Sequence, residues 1–105
     1  MGINFIIFGT IKENENEAKM KEFKFIIKDK IGLHARPAGA ISAMAKCFKS
    51  EISVSCGQKR ADAKRLLSLM SLGATSGTEL SFKIEGVDEE TAQNAMKEIC
   101  KEKLG

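Results

Sequence analysis

The feature that most limits the fold of this chain is a hydrophobic period that changes repeatedly along residues 21–104. Phe23, Phe25 and Ile27 alternate with Lys24 and Lys28, the period of a half-buried strand. Over 35–48, Ala38, Ile41, Ala45 and Phe48 recur at helical spacing. Alternation returns at Ile52, Val54 and Cys56, separated by Ser53 and Ser55, and the turn "CGQK" leads into a return strand over 59–62. Leu66, Leu67, Leu69, Met70 and Leu72 predict a two-turn helix that Gly73 closes in the left-handed conformation. Leu80, Phe82 and Ile84 alternate again. The last element is a helix with Asp88 as N-cap, acidic residues in its first turn, and a stripe of Ala92, Ala95, Met96, Ile99, Cys100 and Lys103.

The order is β-α-β-β-α-β-α, an α+β fold. A four-stranded, mostly antiparallel sheet with three helices on one face buries every apolar stripe and leaves the other face to Ser and Lys. At 105 residues the chain fits one domain. Residues 1–19 differ from the rest: the apolar "INFIIF" is followed by the polar "KENENEAK". They are expected to be a flexible N-terminal extension, the alternative being an extra strand or a self-association segment, with the folded domain over 20–105.

Charge and composition narrow the function. A formal charge of +3 is too mild and too dispersed to indicate nucleic-acid binding. No apolar run reaches the length of a membrane span, and "INFIIF" lacks the flanks of a signal peptide, so the cytoplasm is expected. Cys47, Cys56 and Cys100 form no metal-ligand or disulfide pattern and are expected to be small buried hydrophobes. No metal is expected.

The chemistry gathers in "IGLHARPAG", Ile31 to Gly39, which holds the only histidine and the only proline. His34 falls where the first strand gives way to the first helix, and Pro37 falls in the first helical turn, where a missing N–H is tolerated. The amides of Ala35 and Arg36 are then free, and with the Arg36 guanidinium they form an anion site at the positive helix end. A neutral imidazole beside them can attack phosphorus and become a phosphohistidine. Gly32 permits the tight turn before it. The plain alternative makes His34 a cap or surface residue, Arg36 a solvated side chain and Pro37 a helix starter. "GATSG", Gly73 to Gly77, lacks the ending of a nucleotide-binding loop. Lys59, Arg60, Lys64 and Arg65 form either a solvated face or a cluster that steers acidic partners.

"GLHARPAG" resembles the active-site signature of HPr, the histidine-containing phosphocarrier family of the bacterial sugar phosphotransferase system. The likeness extends over "AKRLLSLMSLGATSGTEL" and "IEGVDEETAQNAM". It implies the open-faced β-sandwich whose order matches the one read above. It implies that His34 is phosphorylated through Nδ1 and that Arg36 assists transfer. The phosphoryl group would come from phosphoenolpyruvate by way of enzyme I and pass to IIA domains of sugar permeases. Both partners would dock around His34 on Ala38, Leu66, Leu67, Leu69 and Met70. Such a protein is a monomeric carrier without cofactor, not an enzyme with its own turnover. One branch of the family has a regulatory serine at the position held here by Arg65, which has no hydroxyl to modify. A regulatory relative that is phosphorylated at His34 but serves signalling is the nearest alternative, and a small nucleic-acid-binding module is a more distant one.

Overall fold

Phe23, Phe82, Val54 and Ala61 lie side by side, one residue from each strand of a four-stranded antiparallel sheet. The computed structural model describes residues 20–105; the expectations for residues 1–19 lie outside the described residues. The strands are β1 (Lys21–Ile26), β2 (Glu51–Cys56), β3 (Lys59–Asp62) and β4 (Glu79–Glu85). They are ordered β1-β4-β2-β3, so the last strand in sequence sits inside the sheet. Among the described residues three helices accompany the sheet: α1 (Ala35–Ala45), α2 (Leu66–Met70) and α3 (Glu89–Leu104). The order is the one the hydrophobic period predicts.

Alternation explains which face is covered. Ile52, Val54, Ala61, Leu80, Phe82 and Ile84 are buried, while Glu22, Lys24, Lys83 and Glu85 point to solvent. The Phe23 and Phe82 rings stack with centroids 4.6 Å apart and planes within 5°. Burying a side chain of this size contributes about 1.5–3 kcal/mol, so the row is a main stabilising unit of the sheet. Against it α1 places Pro37, Ala38, Ile41 and Ala45, and α3 places Ala92, Met96, Ile99, Cys100 and Leu104. Ser42 is also buried; its Oγ donates to the Lys64 carbonyl at 3.0 Å, which offsets the loss of water.

Several expectations need correction. Helix α1 ends at Ala45, short of Phe48, because the chain turns there to enter β2. Asp88 occupies the N-cap position of α3 but its side chain makes no capping bond. Its carboxylate instead accepts the amides of Lys49 (2.8 Å) and Ser50 (2.9 Å) and the hydroxyl of Ser50. The inward stripe of α3 ends in Leu104, while Lys103 is exposed. Of the cysteines, only Cys100 is buried; Cys56 is half-buried, and Cys47 is exposed because it lies beyond the end of α1, with its Sγ 3.6 Å from the Ala43 carbonyl. Gly73 does adopt the left-handed conformation, with φ 61°.

Candidate functional site

The segment from Ile27 to His34 is pinned at each end. The Ile27 amide donates to the Thr78 carbonyl at 2.9 Å, and the Ile27 carbonyl accepts from Gly77 at 2.7 Å. The Leu104 carbonyl, at the end of α3, accepts the amides of Lys28 (2.8 Å) and Asp29 (3.1 Å). Asp29 then folds the chain back on itself: its Oδ2 accepts the amides of Ile31 (3.1 Å) and Gly32 (3.2 Å), an Asx-type turn. Gly32 has φ 89°, and a Cβ there would lie 2.7 Å from the Ala74 carbonyl oxygen and 2.9 Å from the Thr75 Cα. Only glycine allows so close an approach. The Leu33 amide then donates to Ala74 at 3.0 Å, and the buried Leu33 side chain anchors the loop in the core.

This anchoring delivers His34 to the first position outside α1. Its backbone is extended (φ −102°, ψ −172°), and its carbonyl accepts the first helical bond, from Ala38, at 2.9 Å. The side chain makes no capping bond and is 37% exposed. Its Nε2 lies 4.0 Å from Asp29 Oδ2. Ala35 and Arg36 are exposed, and among the described residues nothing accepts a hydrogen bond from either amide. Pro37 is buried in the first turn, where its missing N–H leaves no bond unmade. A half-exposed imidazole at a helix N-terminus, followed by two residues with free amides, one of them an exposed arginine, can receive a phosphoryl group and spread its charge.

The residues expected to form a docking face divide. Leu67 is 78% exposed, Leu66 39% and Met70 38%, so these three present apolar surface on α2. Ala38 and Leu69 are buried in the core at 0% and 1% and offer a partner no surface; they face inward because α1 and α2 pack through them. Arg65 occupies the N-cap of α2, exposed, with no side-chain bond to the helix. An added Cβ at Gly39 meets nothing within 4 Å, so internal packing does not require that glycine. Among the described residues no group of His, Cys, Asp and Glu is placed to hold a metal, and no helix is long and apolar enough to cross a membrane.

Sequence reasoning missed Asp29. The signal was present as "DKIG", an aspartate three residues ahead of a glycine, which is the composition of an Asx turn.

Fold and site together define an open-faced α+β sandwich that presents one half-exposed histidine at a helix N-terminus. The family model described as the "PTS HPr component phosphorylation site" matches residues 21–102, and the chain belongs to this HPr family of phosphocarriers of the phosphotransferase system. The phosphocarrier protein HPr of Mycoplasma pneumoniae is 42% identical over 81 residues, covering 76% of this chain and 92% of its own length. A solved histidine-containing phosphocarrier protein of Mycoplasma superposes with a TM-score of 0.77 at 33% identity, covering 78% of this chain and 93% of that one. An HPr dimer from Thermoanaerobacter tengcongensis superposes at 0.64 with 40% identity, covering 81% and 98%.

Proposed function

We propose that this chain carries a phosphoryl group on Nδ1 of His34, received from enzyme I and passed to IIA domains of sugar permeases. The observation that carries this reading is the half-exposed His34 at the start of α1, followed by the unengaged amides of Ala35 and Arg36. The two amides and the Arg36 guanidinium hold the phosphoryl oxygens and stabilise the charge of the passing transition state. All three groups come from a single chain, so transfer requires only a monomer. No cofactor or nucleic acid takes part, and the work is done in the cytoplasm. Leu66, Leu67 and Met70 supply the apolar centre of the docking face, and the cations around them, Arg65 among them, speed encounter with acidic partners.

The test is incubation with phosphoenolpyruvate and enzyme I, followed by intact mass measured under neutral and acidic conditions. One acid-labile phosphoryl group is expected on the wild-type chain and none on His34→Ala. Phosphate retained by His34→Ala would overturn the assignment. A purified IIA domain added next should discharge the group.

A further inference from the structure

The carboxylate of Asp29 approaches Nε2 of the His34 ring, the nitrogen other than the one assigned to the phosphoryl group. Its Oδ2 is 4.0 Å from Nε2, and among the described residues it is the only acidic group within ion-pair range of that ring. Asp29 is also held more firmly than a surface aspartate needs to be. Its amide donates to Leu104 at the end of α3, its carbonyl accepts from Gly32, and its Oδ2 accepts from Ile31 and Gly32. The same oxygen therefore closes the turn and faces the ring. A side chain that only closed the turn could do so without its charge; Asn accepts the same two amides.

We infer that Asp29 is a positioning residue for phosphoryl transfer: its fixed negative charge holds the His34 proton on Nε2 and leaves the Nδ1 lone pair open to the phosphoryl donor. This rests on the reading of His34 as the acceptor. A neutral imidazole carries one proton, and the group facing one nitrogen decides which nitrogen keeps it. With the proton on Nε2, the Nδ1 lone pair forms the N–P bond. The bond from phosphorus to the phosphorylated donor protein breaks, and its electron pair leaves with the donor. The Nε2 proton stays, so the ring becomes a phosphoimidazolium cation with Asp29 beside its positive edge. When the group moves on, the N–P electrons return to Nδ1 and the neutral ring is restored.

The tautomer can be read on the unphosphorylated protein from the ¹⁵N shifts of the His34 ring, with no partner present. In Asp29→Asn the population with the proton on Nε2 should fall relative to the other tautomer by about three-fold, the scale of one screened charge at this distance. The amide shifts of Ile31 and Gly32 and the melting temperature should stay near wild type, since the turn is kept. Phosphoryl uptake from enzyme I should slow by a similar factor. If Asn disturbs the turn, Asp29→Ser, which keeps a hydroxyl acceptor without the charge, carries the same comparison. An unchanged tautomer ratio in a variant whose turn is intact overturns the inference, whether or not uptake slows. Failure of His34→Ala to abolish uptake would instead overturn the assignment of the acceptor, and leave the tautomer measurement standing by itself.

Discussion

Asp88 receives both the amide and the hydroxyl of Ser50, and so ties the first turn of α3 to the entrance of β2, 38 residues earlier in the chain. Ser50 is fully buried. The contact takes the place of the helix cap that the same residue would otherwise make.

That contact sets an acid limit. The Ser50 hydroxyl above all, then the Lys49 amide, hold the Asp88 carboxyl below its ordinary 3.8. A lowered native value means that the unfolded chain takes up the proton first as pH falls. The stabilisation is complete above the ordinary value and is lost as pH drops through the lower native one. Urea unfolding measured from neutral to strongly acid pH should show this loss in the wild type. Asp88→Ala should be less stable at neutral pH and show a shallower decline on the acid side.

Cys100 sets the corresponding alkaline limit. Burial pushes its thiol up from 9.0 to about 12. As pH rises through that window the unfolded chain gives up the proton while the native chain keeps it, so stability falls, by up to about 1.4 kcal/mol per pH unit. Cys100→Ala should lose about 1 kcal/mol at neutral pH from the smaller side chain and remove this part of the alkaline decline. In a thiol-modification assay the exposed Cys47 should react first and Cys100 only on unfolding.

Gly32→Ala tests the loop that carries His34. Its left-handed φ and the contact of the new Cβ with the 74–75 backbone should destabilise the protein by about 2 kcal/mol or more. Because the neighbouring Leu33–Ala74 bond is displaced with it, phosphoryl uptake at His34 should fall at temperatures where the variant is still folded. Gly39→Ala, with open space around the new Cβ, should instead gain about 0.5–1 kcal/mol in chemical denaturation.

Arg65 predicts the absence of a second modification. Incubated with ATP and the kinase that acts on the family's regulatory serine, the wild type should take up no phosphate at position 65. The neighbouring hydroxyls are engaged elsewhere: Ser68 Oγ accepts the Asp62 amide at 3.1 Å and Ser71 Oγ donates to the Ser68 carbonyl at 2.6 Å. Arg65→Ser should become a substrate, detected as acid-stable phosphate. Phosphate on wild-type Ser68 or Ser71 would contradict the prediction.

The strands and the long helices were legible because their periods are local. Val54 and Phe82 read as inward residues from their own neighbours, before either strand is paired. The position of His34 at a helix start was legible for the same reason, from the proline three residues on. Helix α2 was not. Leucine or methionine stands at 66, 67, 69, 70 and 72, too dense for a clean face, and only the packing decides that Leu69 and Leu72 turn inward while Leu67 does not. Asp88 misled because a helix cap and a long-range tether use the same side chain. Nothing near it in sequence distinguishes them; its partners, Lys49 and Ser50, lie at the entrance of β2. The turn at Asp29 was signalled by "DKIG", but its approach to His34 is set by the bonds that close the turn.

The place of β4 has a consequence for synthesis. It lies between β1 and β2, which have no pairing with each other, so among the described strands only the β2–β3 hairpin can form until residues 79–85 emerge from the ribosome. β1 waits longest of the described strands for its neighbour, and the sheet closes in one late, long-range event. Translation that stalls before β4 leaves β1 as an unprotected edge, the state in which chaperones or proteases would meet this chain.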